Sequence, residues 1–137
     1  MKRVLVVDSD PRVCQAIYKT LSVMSHAVSF AFDAVTAIAE ARKCNPDLII
    51  VDLSLPAGSG LLVVERLRGL SAFMRTPIIV IAERGARLET ERVFDAGANA
   101  FLPKPLNPNV LLDYVARLLA ADERRGVWRE GVQPLAK

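Results

Sequence analysis

Asp8, Asp52 and Lys104 are the side chains of this 137-residue chain whose types and settings could do chemistry together. Each follows a strand-like apolar run: Val4-Leu5-Val6-Val7 ends on Asp8, Leu48-Ile49-Ile50-Val51 ends on Asp52, and Ala100-Phe101-Leu102 stops just before Lys104. Continuous apolar runs bounded by turn residues are the mark of strands buried on both faces of a parallel sheet, and the carboxyl ends of such strands converge along one edge. That edge is where open α/β sheets hold their ligands, because it is left uncovered by helices. A cleft with two carboxylates and an ammonium follows. Either aspartate alone also reads as a turn or helix-start residue, since Asp is a favoured cap. Lys104 shifts the balance, because Pro103 and Pro105 on either side fix the backbone and aim one side chain.

The elements that must position these charges alternate strand and helix five times. Asp10 and Pro11 read as an N-cap followed by proline in the first turn, opening a helix through about Met24 with Val13, Ala16, Ile17 and Leu21 on one face. A short strand over Ala27 to Phe32 follows. Asp33 caps a helix through about Lys43 with Ala37, Ile38 and Ala41 inward, and Asn45-Pro46 stops it. The third strand is Asp47 to Asp52. A loop ending in Gly58-Ser59-Gly60 leads to a helix with Leu61, Leu62, Val64 and Leu67 inward, which stops before Thr76-Pro77. The fourth strand is Ile78 to Ala82. A polar helix from about Ala86 to Ala96 ends at Gly97, the expected left-handed terminator, before a last strand at Asn99 to Leu102. Asn107-Pro108 opens a final helix with Val110, Leu111, Tyr114, Val115, Leu118 and Leu119 at helical spacing. The class is α/β, a (βα)5 chain whose right-handed connections place helices on both faces of the sheet.

Composition narrows the function. The length fits one domain, residues 1–121, and from Asp122 the pattern changes to a charged, glycine-spaced tail or linker over 122–137. Hydrophobic residues make up 52%, yet no stretch approaches the roughly 20 apolar residues of a membrane span, and the first residues lead straight into a strand, not a signal peptide. The expectation is a cytoplasmic protein without membrane contact. A net charge of +3 from 18 basic and 15 acidic residues, dispersed along the chain, gives no nucleic-acid surface. Cys14 and Cys44 lack metal or redox spacing and read as reduced, partly buried thiols. His26, the single histidine, reads as a surface turn residue and excludes a histidine triad. Gly58-Ser59-Gly60 lacks the lysine of a phosphate-cradling loop, and Asp8-Ser9-Asp10-Pro11 would repel a flavin phosphate.

Four stretches, in order and at these separations, carry a specific resemblance over about 120 of the 137 positions. Val6-Val7-Asp8-Ser9-Asp10-Pro11, Pro46 through Gly60 around Asp52, Pro77-Ile78-Ile79-Val80, and Gly97-Ala98-Asn99-Ala100-Phe101-Leu102-Pro103-Lys104-Pro105 together resemble a response-regulator receiver domain. The resemblance implies a flavodoxin-like parallel sheet of order 2-1-3-4-5. It implies a signalling module of a two-component system that is not an enzyme, with Asp52 accepting a phosphoryl group from a sensor histidine kinase or phosphotransfer protein. Lys104 would contact the phosphoryl oxygen. Mg2+ would be held by Asp8, Asp52 and the backbone carbonyl of Ser54. An effector or output partner would bind the face formed by the fourth helix, fifth strand and fifth helix, and a homodimer is a separate expectation.

The sequence departs from that pattern where the reaction occurs. Ser9 stands where such domains usually carry a second acid that ligates the metal, so a weakened Mg2+ site is expected. Asp10 could lean in to compensate, though its place before Pro11 suits a cap. Ala82 replaces the Thr or Ser hydroxyl expected at the end of the fourth strand, and Phe101 stands at the aromatic switch position without a tyrosine's hydroxyl. Asn99 and Ala100 stand where many relatives place acids for dimer salt bridges. Two functions follow: a phosphorylation-driven switch, favoured by the retained Asp8, Asp52 and Lys104, and a pseudo-receiver that binds partners independently of phosphate, favoured by Ser9 and Ala82.

Overall fold

A computed structural model describes residues 1–83 and 89–122 of the chain. The apolar runs form one parallel sheet from strands β1 (Arg3–Val7), β2 (Ala27–Ala31), β3 (Leu48–Asp52), β4 (Ile78–Ala82) and β5 (Ala100–Pro103), in the order β2-β1-β3-β4-β5. Every residue of β3 and β4 is buried, which is why those runs carry no alternation of polar and apolar residues. Helices α1 (Pro11–Ser22), α2 (Ala34–Cys44), α3 (Gly60–Arg68), α4 (Thr90–Ala96) and α5 (Pro108–Asp122) cover both faces. Leu5, Ile49 and Val80 pack on one face with α2, α3 and α4; Val6, Ile50 and Ile79 pack on the other with α1 and α5. Sheet order and two-sided cover are those expected. The expected start of α4 at Ala86 and the tail from residue 123 lie outside the described residues.

Local chemistry sets the helix boundaries. Asp10 accepts from the Arg12 N–H ahead of Pro11, and Asp33 accepts from the Thr36 N–H, so both predicted caps form. Asn45 adopts left-handed φ at the end of α2, and Gly97 has φ +120° at the end of α4.

Helix phase differs from the expectation in two places. Cys14, not Ala16, is buried with Ile17 and Leu21 on α1. On α3 the inward residues are Gly60, Val63, Val64 and Leu67, while Leu62 is exposed. That helix also ends at Arg68, and a separate 3₁₀ turn, Ser71–Phe73, buries Phe73 before β4. The cause of the phase on α3 is Gly60. Ser59 caps the helix by accepting from Leu62 N–H at 3.1 Å, and Gly60 sits directly against the Asp52 carbonyl and 2.6 Å, measured to an added Cβ, from Leu53 Cα.

Gly60→Ala is therefore expected to lower unfolding free energy by about 1–3 kcal/mol, the usual cost of forcing an extra methyl into packed surroundings. Urea unfolding measures it. A variant as stable as the parent would mean that the backbone after Asp52 yields freely.

Candidate functional site

Backbone ladders carry past the strand ends and hold the charged residues in place. Asp8 N–H donates to Ala31 O (3.1 Å), Leu53 N–H to Ile81 O (2.8 Å) and Lys104 N–H to Ala82 O (2.7 Å). The predicted trio meets at the carboxyl edge. Lys104 Nζ lies 2.9 Å from Asp8 Oδ2 and 3.3 Å from Asp52 Oδ2, with Asp8 0% and Asp52 5% exposed. The second Asp8 oxygen accepts from the Asp10 N–H at 2.8 Å, while Ser54 N–H points at Asp52 Oδ1 across 3.4 Å.

The electrostatics follow from burial and charge. Desolvation, and then the neighbouring Asp8 charge, raise the pKa of Asp52 above the ordinary carboxylate value, with Lys104 opposing them. Burial alone would lower the pKa of Lys104, but its hydrogen bond to Asp8 and the charges of Asp52 and Asp8 outweigh this and raise it. The ammonium is thus firmly charged. Cys14 donates from Sγ to the Asp8 carbonyl at 3.4 Å, and burial, with the Asp8 and Asp10 charges, pushes its thiol up to about 11, so it is no nucleophile at neutral pH.

The other predicted positions fall into place around this trio. Ser9 is exposed. Asp10 is engaged as the cap of α1, and its carboxylate also lies 3.4 Å from Arg12 Nε; the Arg12 backbone N–H, the largest influence, draws its pKa down. Ala82 is buried and shares one core cluster with Phe101, Val80 and Val93, so the Phe101 ring packs inward. His26 follows the turn after α1 and is half-buried. Both ring nitrogens are buried without hydrogen-bond partners, and desolvation first, then the N-terminal charge, lowers its pKa.

Three contributions escaped the sequence reading. Glu83 Oε2 stands 3.8 Å from Lys104 Nζ as a third carboxylate. Arg68, at the end of α3, reaches Phe73 O and Thr76 O at 2.7 Å each, Gly97 O at 2.8 Å and Asn99 Oδ1 at 3.0 Å. The same Asn99 oxygen accepts from Ile78 N–H at 2.7 Å. Asn99 and Ala100 are both buried, so neither offers a surface group for a dimer salt bridge.

Asp8 and Asp52 would offer a metal ion two hard carboxylates. Among the described residues no group of three or more His, Cys, Asp or Glu side chains could hold an ion. Mg2+ suits such a site, because it is commonly held by one or two carboxylates and keeps water or phosphate oxygens in its remaining positions. Also among the described residues, no helix is long and apolar enough to cross a membrane.

Comparison with known proteins agrees with this geometry. The model of the response regulator receiver domain family matches residues 4–116. The transcriptional regulatory protein KdpE of Mycobacterium tuberculosis is 33% identical over 135 residues, covering 98% of this chain and 57% of that protein. The response regulator MprA of the same species is 35% identical over 117 residues, covering 85% of this chain and 50% of that protein. The chain thus spans about half the length of the curated relatives it matches. Among solved structures, the chemotaxis response regulator CheY4 of Vibrio cholerae superimposes with a TM-score of 0.80 at 31% identity, covering 86% of this chain and 98% of that one. A CheY-like receiver domain protein from Methanospirillum hungatei gives 0.85 at 25% identity, covering 92% and 99%. The family match runs from the first strand into the last helix, through every element that carries Asp8, Asp52 and Lys104, and this chain belongs to the response regulator receiver domain family of two-component signalling.

Proposed function

We propose that Asp52 accepts a phosphoryl group from the phosphohistidine of a sensor histidine kinase or phosphotransfer protein, and that the modified domain changes its affinity for a partner at the face of α4, β5 and α5. The observation that carries this reading is the single ammonium of Lys104 placed between two buried carboxylates at the open edge of the sheet. An Asp52 oxygen attacks phosphorus and the new O–P bond forms as the P–N bond breaks; the donor imidazole nitrogen keeps the bonding pair and takes a proton from solvent, leaving as neutral imidazole. Burial and the Asp8 charge raise the pKa of Asp52, and Lys104 works against them by favouring the ionised carboxylate that this attack needs. Lys104 then steadies the negative charge that builds on the transferred oxygens. Bound Mg2+, on Asp8, Asp52 and the Ser54 carbonyl, would neutralise the rest.

A module that never used phosphate would have no need to bury two carboxylates under one lysine, since such an arrangement is costly unless fully paired. The phosphate-independent reading is therefore not favoured. Incubation with Mg2+ and acetyl phosphate should yield an acid-stable, base-labile adduct, seen by intact mass, that disappears in Asp52→Asn. An adduct on another residue, or none, would remove Asp52 from this role.

Ser9 bears on the metal. Ser9→Asp is expected to tighten Mg2+ binding by roughly tenfold, because affinity at such sites tracks the number of charged ligands. Unchanged affinity in a calorimetric titration would show that water or Asp10 already fills the position.

A further inference from the structure

Glu83 is the one carboxylate of the Lys104 cluster that has somewhere else to go. Its side chain is 78% exposed, whereas those of Asp8 and Asp52 are 1% and 7% exposed. Its position is also set by the fold. It directly follows Ala82, whose carbonyl accepts the Lys104 N–H at 2.7 Å, so the ladder between β4 and β5 holds Glu83 beside the lysine.

An ammonium has three N–H donors. Lys104 Nζ faces three carboxylates, at 2.9, 3.3 and 3.8 Å. At 3.8 Å the Glu83 contact is an ion pair beyond hydrogen-bond length, so a phosphoryl oxygen arriving on Asp52 competes with Glu83 as the counter-charge on that side of the ammonium. Asp8 is enclosed and is also held by the Asp10 N–H, and Asp52 is the carrier itself. Glu83 has the longest contact and open solvent beyond it.

Resting on the reading of Asp52 as phosphoacceptor, we infer that Glu83 is a resident anion on Lys104, displaced each time a phosphoryl group is loaded, and that it slows loading from free anionic phosphodonors. Its charge stands at the mouth through which such a donor enters, and like charge there lowers the local concentration of the donor. The same carboxylate returns to the lysine when the phosphoryl group leaves.

The test uses the full chain, Glu83→Gln and, as a second exposed and fold-neutral change, Glu83→Ala, each incubated with Mg2+ and acetyl phosphate and followed by intact mass. Both variants should load up to about fivefold faster than the parent at low salt, the ceiling for an exposed ion pair. The gap should close as salt rises, because the screening length falls from about 30 Å at 0.01 M to about 3 Å at 1 M. In the parent, the Glu83 amide resonance should move on loading. Adduct forming in all three proteins at equal rates, or more slowly in the variants, overturns the inference while leaving Asp52 as phosphoacceptor. Absence of adduct in all three overturns both, and the mass spectrum distinguishes the two failures.

Discussion

Lys104→Met should lower the unfolding free energy by about 3–5 kcal/mol at neutral pH, the cost of leaving buried charge without its partner. The residue is a single cation shared by Asp8, 0% exposed, and Asp52, 5% exposed. Its removal leaves two like charges in low dielectric, and domains of this size have only about 5–15 kcal/mol in hand. Methionine keeps the volume of the stem, so the loss reads as charge and not as a cavity. Two controls separate electrostatics from packing. Asp52→Asn in the Lys104→Met background should restore much of the loss, because it removes both a desolvated charge and its repulsion with Asp8. The second control is pH. Asp52 has a folded-state pKa above its ordinary value of 3.8. The folded protein therefore binds that proton more tightly than the unfolded chain. Protonation favours folding in full below about the unfolded value, and the benefit is lost as pH rises through the raised folded value. Without Lys104, which opposes the rise, that window moves upward, so the deficit of Lys104→Met should shrink between pH 7 and pH 5. Urea unfolding at the two pH values measures it. An identical deficit at both, or further destabilisation by Asp52→Asn, would mean that the lysine acts through packing.

What the sequence made legible is what parallel sheets write locally. Runs such as Leu48-Ile49-Ile50-Val51 carry no alternation because both faces of β3 are covered, and their ends mark the functional edge. Caps are equally local, as Asp10 and Asp33 show. The phase of α3 was not legible, because Leu61 and Leu62 fit an apolar stripe as well as Val63 does. What decides is the seat of Gly60 on the Asp52 carbonyl, a contact made by the backbone. Arg68 escaped for a related reason. A basic residue in the last turn of a helix reads as a solvated charge, yet this one binds Gly97 and Asn99, 29 and 31 residues away. Gly97 has no Cβ where one would stand 2.7 Å from Arg68 Cγ, so the glycine serves this arginine as well as ending α4. Glu83 carries no signal of its own in the sequence beyond a charge after a strand. Only the register of β4 on β5 sets it beside Lys104. The missed residues share one property: each acts through a partner far away in the chain.

The largest kinetic effect should come from Ala82→Thr combined with Ser9→Asp, which is expected to speed phosphorylation of Asp52 by about 10²-fold, the scale on which one positioned donor acts. Ala82 ends β4 paired with Pro103, one residue past Ile81, the partner of Asp52, and its carbonyl accepts the Lys104 N–H at 2.7 Å. A hydroxyl there would reach the pocket from a strand already fixed, so little ordering is needed. Ser9→Asp adds metal affinity on the other wall. The conformational response should grow with the rate. A ligand moves an equilibrium only by its differential affinity for the two states, and an alanine methyl offers a phosphoryl oxygen nothing in either state. Ala82 and Phe101 lie in one buried cluster, so a residue drawn toward Asp52 would open space for the ring. Larger shifts over Phe101 to Leu106 on loading are the expected signature. Threonine also adds bulk at a buried site, which can cost about 1–3 kcal/mol, and Ala82→Ser supplies the hydroxyl with less of it. If the parent protein already loads as fast and responds as fully as the double variant, Ser9 and Ala82 do not limit the site, and Lys104 with the two aspartates suffices for an ordinary receiver.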